Sequence, residues 1–460
     1  MKFFGRETQL KSLTKLFFSE GLQVGLIYGR RRIGKSELIK KAISLTNLPA
    51  LYYEAKQTTE TNNTESLALL MSELFQFPKP SFSSIEEELD YLFKKATKDP
   101  LILVLDEYSY LRDCVKGLDS ILQVLIDKYK ESSNLKLILC GSYVDIMKAL
   151  LMNENPLYGR VDLTINLKPM DYYESALFYP SFSNEDKVRL YSVFGGVPYY
   201  NRLINPALSV KENIIGLIAS PSARLESEVD MFLKSEISKI NNANEVFTAL
   251  SAGFCRFSDI LSQSHVSSSP TLADVLEKLM HMDMVKKEAP INDEKNKKKA
   301  RYYISDNLSL FYYRYVFRFN SQMHILDPEV FFDRYIAKDF EATFVPNAFE
   351  TIAKEYLVRQ NRAGKIEPPF DQIGKYYYDD KETKTNGEFD VVTKDPDGYV
   401  FYEAKFKNSP ISKGSIEKEI EQVKATGFDC HHYGFFSKAG FEENLNREDL
   451  RLFTLEILYS

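Results

Sequence analysis

The chain has 460 residues, 44% hydrophobic and 27% charged, with 29 Tyr, 32 Phe, no Trp and a formal net charge of −6. A length of this order holds about three domains, and the mild acidity excludes both a uniformly basic nucleic-acid coat and an acidic disordered chain. The four cysteines, Cys114, Cys140, Cys255 and Cys430, form no CxxC pair; this supports neither a zinc site nor a disulfide framework and fits a reducing compartment. The opening Met1-Lys2-Phe3-Phe4-Gly5-Arg6-Glu7 turns charged before any apolar run develops. The longest apolar runs are of strand length, far short of the roughly 20 residues of a membrane helix. The expectation is a cytoplasmic protein with neither signal peptide nor membrane span.

Residues 1–170 alternate apolar runs with helical patterns. Leu22–Tyr28, Leu51–Tyr53, Leu101–Leu105 and Leu135–Cys140 read as strands, and Lys35–Ser44 as a helix. Continuously apolar strands alternating with helices predict an α/β fold with a parallel sheet covered on both faces. Gly29-Arg30-Arg31-Arg32-Ile33-Gly34-Lys35-Ser36 has the spacing GxxxxGK[ST] between the first strand and that helix. Its backbone N–H groups and the helix N-terminus would cradle a phosphate, Lys35 would reach the β/γ-phosphates, and the Ser36 hydroxyl would sit on Mg²⁺. The predicted ATP-binding set is Gly29, Arg30, Arg31, Arg32, Ile33, Gly34, Lys35, Ser36 and Glu37, with Asp106 and Ser142. Leu101–Leu105 delivers Asp106 and Glu107 at its C-terminal end, the edge where an open α/β sheet binds ligands. Asp106 would hold Mg²⁺, Glu107 would orient the attacking water, and Ser142 would sense the γ-phosphate. Arg160 is either an arginine finger or a structural surface arginine.

With the opening Phe4-Gly5-Arg6-Glu7 and the later Gly195-Gly196-Val197-Pro198, these motifs resemble as a set the archaeal-type P-loop ATPases of the STAND/AAA+ group, from residue 3 to about 235. The resemblance implies that Gly5-Arg6-Glu7 lies by the adenine. It also implies that Gly195–Pro198 belongs to a helical lid, residues 171–238, in contact with the nucleotide region.

Residues 239–305 predict a winged helix. Val246–Leu250, Phe257–Ser264 and Thr271–Met284 carry helical patterns, and Val285–Ala289 and Arg301–Ile304 read as two strands. The polar loop between the strands holds Lys295, Lys297, Lys298 and Lys299. Such a wing either neutralises DNA phosphates or serves as a spacer with a solvated turn. Thr271–Met284 offers few base-reading Arg, Asn or Gln side chains, which argues against a pure transcription regulator.

Residues 306–460 begin with an aromatic helical connector and an amphipathic helix, Phe344–Gln360. Gly387–Val392, the turn Asp395–Gly398 and the return strand Tyr399–Lys405 follow. Asp390 and Glu403 alternate with apolar neighbours and can converge from adjacent strands on one divalent metal, and Lys405 shares the face of Glu403. The spacing, Asp390 then Glu403-Ala404-Lys405, resembles the PD-(D/E)xK nuclease superfamily and the domain of uncharacterised function commonly fused behind archaeal-type ATPases. That resemblance implies a third acid, Glu350, a supporting Gln422 on the next helix, and a second divalent ion, Mg²⁺ or Mn²⁺, on Asp390 and Glu403. The adjacent His431 and His432 lie in a predicted strand, which sends their rings to opposite faces and makes no metal site.

The sequence thus reads as a P-loop ATPase core (1–170), a helical lid (171–238), a winged helix (239–305) and a connector with a nuclease-like domain (306–460). The expected function is an Mg²⁺-dependent, ATP-driven switch coupled to a DNA-binding or DNA-cleaving domain, and oligomers are compatible with it. The alternative is a signalling or scaffolding ATPase whose inactive nuclease-like domain binds a protein effector.

Overall fold

Apolar β-branched and leucine-rich runs form the first sheet: β1 Gln23–Tyr28, β2 Ala50–Glu54, β3 Leu101–Asp106, β4 Leu135–Gly141 and β5 Leu163–Asn166. They pair in the order β2-β3-β4-β1-β5, and every pair is parallel. β3 and β4 are buried along their whole length, because helices cover both faces. These helices are α1 Glu7–Phe18, α2 Lys35–Ile43, α3 Glu60–Phe75, α4 Ile85–Lys95, α5 Tyr108–Cys114, α6 Leu118–Tyr129 and α7 Val144–Ala149. The computed structural model describes residues 3–229, 231, 242–294, 296, 299–380, 385–427, 429–442 and 447–460. Lys295, Lys297 and Lys298 of the predicted wing, and residues 232–238 of the predicted lid, lie outside the described residues.

The chain divides into two compact units. The first holds Met1–Pro169 with Val197–Tyr199, and the second holds Met170–Gly196 and Tyr200–Ser460. Of the expected lid, the helices α8 Tyr172–Ala176, α9 Asn184–Phe194 and α11 Val210–Leu217 belong to the second unit. Only the start of the short helix α10, Pro198–Asn201, falls in the first. The physical reason is a helix–helix seam. α9 packs on the long helix α19, Val345–Arg362. There the buried Glu355 carboxylate accepts hydrogen bonds from the Tyr191 hydroxyl (2.9 Å) and the Tyr172 backbone N–H (2.9 Å).

The second unit continues with three helices, α12 Ala243–Ser251, α13 Phe257–Gln263 and α14 Ser269–His281. Ser268 caps α14 and Pro270 stands in its first turn, a sequence-readable start signal. The antiparallel hairpin β6 Val285–Glu288 and β7 Arg301–Ile304 follows. The connector holds α15 Asn307–Phe311, α16 Asn320–Ile325, α17 Pro328–Tyr335 and the short turn α18 Ala337–Asp339, with π-helical stretches over Tyr312–Phe317 and Phe340–Phe344. Its Tyr313 ring stacks on Phe247 of α12 at 4.9 Å between centroids.

The last sheet has the order β12-β11-β10-β9-β8. Its strands are β8 Gln372–Asp380, β9 Thr385–Asp395, β10 Gly398–Lys405, β11 Cys430–Ser437 and β12 Leu450–Thr454, with α20 Lys413–Ala425 between β10 and β11 and α21 Leu455–Leu458 at the end. β8, β9 and β10 pair antiparallel, whereas β10, β11 and β12 pair parallel.

Candidate functional site

In the first unit β4 lies between the loop-bearing strand β1 and the acid-bearing strand β3. The C-terminal ends of all three strands therefore bring their side chains to one edge of the sheet. Gly29 is required where the loop leaves β1, since a Cβ there would stand 2.3 Å from the Leu167 carbonyl oxygen. Gly34, at φ +94°, caps α2 in a left-handed conformation. Ile33 is buried and anchors the loop. Arg31 donates to the Tyr110 hydroxyl (3.0 Å), Arg32 stacks on the Tyr199 ring (4.2 Å to the centroid), and Arg30 is buried. Glu37 stands in the first turn of α2.

The Lys35 ammonium reaches back over the loop. It donates to the Gly29 carbonyl (2.9 Å), the Arg30 carbonyl (3.1 Å) and the Ser142 hydroxyl (2.8 Å). Ser142 in turn donates to Glu107 (2.7 Å). Burial lowers the lysine pKa, and Cys140, Glu107 and Asp106 partly offset that. Ser36 donates to Asp106 (2.8 Å), as do the Tyr52 hydroxyl and the Glu107 backbone N–H (2.9 Å). Burial alone would raise Asp106, but the hydrogen bonds from Tyr52, Cys140, Ser36 and Glu107 more than offset it and hold the carboxyl below its usual range. Arg32 (φ 65°) and Glu107 (φ 49°) both sit in the left-handed region, strain that a structure retains where a side chain has to be aimed.

The residues fit their expected ligands. The Ser36–Asp106 pair offers hard oxygens suited to Mg²⁺, and Lys35 with the loop amides suits a triphosphate. Tyr52 was not foreseen. It faces Asp106 because β2 pairs with β3 in a register that sets Glu54 opposite Asp106, a sheet neighbour that local motifs do not reveal.

Arg160 is not brought to this group. Its guanidinium pairs bidentately with Asp127 (2.8 and 2.7 Å) and donates to the Pro156 carbonyl (3.1 Å). Asp127 lies in the last turn of α6. That helix leads from the ligand edge back to the start of β4, so the pair stands at the opposite edge.

In the second unit a set of acids meets where β9 and β10 part. Tyr402 pairs with Val391, and one step beyond stand Glu403 and Asp390. Glu350, on α19, joins them: burial first, and then the Asp390 carboxylate, raise its pKa. Burial and the neighbouring Glu419 push Glu403 up to about 7. Lys405 lies on the same face, 3.7 Å from Glu403, but donates to Glu419 (2.6 Å). Gln422 donates to the Tyr378 hydroxyl (3.0 Å). Asp390 itself accepts from Lys375 (2.5 Å), which also donates to Glu388 (3.1 Å). Three mutually repelling carboxylates are a hard-oxygen donor set that suits Mg²⁺ or Mn²⁺. As placed, no group of three or more His, Cys, Asp or Glu among the described residues is gathered tightly enough to hold a metal ion.

Lys375, Glu388 and Glu419 were missed. Glu388 alone carried a signal, two residues from Asp390 on one strand face. Lys375 sits at a β-bulge in β8, which a period-2 reading cannot show. A bulge also corrects the histidine expectation. The ladder passes from Tyr399–Cys430 directly to Val400–His432, so His431 and His432 do not alternate. Their Nδ1 atoms lie 2.7 Å apart, and His431 Nε2 is 3.0 Å from Asp395.

Residues 3–202 match the family of ATPase domains found predominantly in Archaea, and residues 312–423 match a family of archaeal and bacterial proteins of unknown function. An uncharacterised protein of Methanocaldococcus jannaschii is 26% identical over 99% of both chains. An uncharacterised ATP-binding protein of the same organism is 23% identical over 52% of this chain and 76% of its own. The Walker-type ATPase of Pyrococcus abyssi, 20% identical, shares the fold with a TM-score of 0.51 over 68% of this chain and 96% of that one. Residues 3–202 thus have the α/β fold with a parallel five-stranded sheet typical of P-loop ATPases, and the second unit ends in a separate mixed sheet. No helix among the described residues is long and apolar enough to cross a membrane.

Proposed function

We propose that this chain is an Mg²⁺-dependent ATP hydrolase whose nucleotide state switches a nuclease-like C-terminal domain acting on DNA. The carrying observation is the linked pair of networks at the P-loop edge, Lys35–Ser142–Glu107 and Ser36–Asp106–Tyr52. Lys35 and the loop amides bind the β/γ-phosphates, and Ser36 and Asp106 hold Mg²⁺, which neutralises the phosphate charge. Glu107, released from Ser142, orients the attacking water, and Ser142 reads the γ-phosphate. Arg160 is left out of this set, because Asp127 holds it. The helix–hairpin module of residues 239–305 is a winged helix in this reading, and Glu350, Asp390, Glu403 and Lys405 form the nuclease site. Its support is electrostatic: Glu350 of α19 and Glu403 of β10 both feel the Asp390 carboxylate of β9.

Two variants test the ATPase. Lys35→Ala abolishes ATP binding, measured by nucleotide titration. Glu107→Gln binds ATP and loses turnover by about 100-fold or more, the scale of a lost water-orienting group. Retained turnover in both would refute the assignment.

One observation favours a second reading, a scaffolding ATPase with an inactive nuclease-like domain: the Lys375 ammonium already neutralises Asp390.

A further inference from the structure

The loop between β6 and β7 is polar, yet its described part is not a free turn. The Ile291 N–H donates to the Lys375 carbonyl (2.9 Å). Asn292 then makes a reciprocal pair with the Tyr377 backbone: its Nδ2 donates to the carbonyl (2.7 Å) and its Oδ1 accepts from the N–H (3.2 Å). Ile291 is buried in the same apolar cluster as Phe389, Val392 and Phe401 of the last sheet. β8 is the edge strand of that sheet, and an edge strand presents unpaired backbone groups that call for a cover. The loop supplies part of it through one backbone bond from Ile291 and the side-chain pair of Asn292.

The residue under this cover is Lys375. The bulge in β8 falls at Lys375, and its carbonyl is the group the loop holds. Its ammonium points inward, with the side chain only 16% exposed, onto Asp390 (2.5 Å) and Glu388 (3.1 Å). The hairpin flanks it from the other side. The Tyr303 ring of β7 lies 5.5 Å from the ammonium, and Arg301 of β7 pairs with Glu388 (3.2 Å). A divalent ion needs a carboxylate oxygen at about 2.0–2.1 Å. At Asp390 Oδ1 it competes with the ammonium already bound there, and the two like charges repel.

We propose that the Pro290–Asp293 segment after β6 is a regulatory strap: docked on β8 it holds the Lys375 ammonium in the position a divalent cation would take on Asp390, and its release admits the metal. This rests on reading the carboxylate cluster as a metal site. It goes beyond that reading by naming what keeps the metal out.

The test is Mn²⁺ binding to the full chain without nucleotide, followed by calorimetry and by the loss of the free-ion resonance signal. Only the part of the binding that Asp390→Asn removes is counted, which separates it from any ion at Ser36 and Asp106. Lys375→Met should strengthen that binding about tenfold or more, the scale of one charged hydrogen bond. Asn292→Ala and Ile291→Asp should strengthen it in the same direction with Lys375 intact, and should speed hydrogen exchange at the Tyr377 amide. Asn292→Ala keeps the apolar anchor, so the test does not depend on the bulkier change folding well. Equal Asp390-dependent binding in the wild type and all three variants would overturn the strap while leaving the metal site standing. Stronger binding in Lys375→Met alone would overturn the part given to the loop. No Asp390-dependent binding in any protein would overturn the metal site and the strap together.

Discussion

At the scale of single residues, the first unit buries a carboxyl group whose cationic neighbour, Lys79, does not offset the lost solvation. Glu88, on α4, is fully buried, and neither of its carboxylate oxygens has a hydrogen-bond partner. Burial pushes its pKa up to about 8, from an ordinary value of 4.5. The folded state therefore keeps a proton that the unfolded chain gives up, and stability falls as pH rises between these values. Glu88→Gln removes that titration. Its advantage over the wild type should grow with pH, by roughly 3–4 kcal/mol between pH 5 and pH 8, read by thermal unfolding at the two pH values. An advantage independent of pH would show that the carboxyl is not the cause. The P-loop residues were legible because their chemistry is local: two glycines, a lysine and a serine at fixed spacing, then two acids at a strand end. Tyr52 and Lys375 were not, since their neighbours come from sheet register and from a bulge.

At the scale of elements, the seam between α9 and α19 ties the helices after the ATPase core to the second unit. The seam closes on Glu355, which accepts from the Tyr191 hydroxyl and the Tyr172 amide. Glu355→Leu leaves the Tyr172 amide unsatisfied and the Tyr191 hydroxyl with only its long bond to the Met170 carbonyl (3.4 Å), and should cost about 1–3 kcal/mol in chemical denaturation. A neutral result would mean the seam rests on apolar packing alone. The sequence patterns located residues 171–238, which hold α9, as helical, and Phe344–Gln360, which became α19, as an amphipathic helix. They did not show which helices pair, because a stripe says that a face is buried but not against what. The same limit explains the hairpin. Its strands alternate visibly, and its loop is polar, so the loop reads as solvated. One residue argues otherwise: Ile291, an apolar side chain amid charges, is what the last sheet buries.

At the scale of the whole molecule, the parallel sheet and the mixed sheet each place a cluster of acids beside a lysine. In the first cluster the lysine binds the loop and the serine hydroxyl, ready to be displaced onto phosphate. In the second a lysine sits on the acid itself. The first arrangement suits a nucleotide site at rest, and the second suits an acid cluster held without metal. The fold class was legible from strand composition alone. The division into units was not, since it depends on which helices share a core. The central claim is that nucleotide state governs the C-terminal site. The most direct measurement is DNA cleavage by the full chain in Mn²⁺, without nucleotide, with ATP, and with ATP in the Glu107→Gln variant. The account predicts cleavage that Asp390→Ala abolishes and that differs severalfold between the ATP-trapped variant and the nucleotide-free protein. Cleavage that is the same in every nucleotide state, or that survives Asp390→Ala, would contradict it, as would the absence of cleavage under all three conditions.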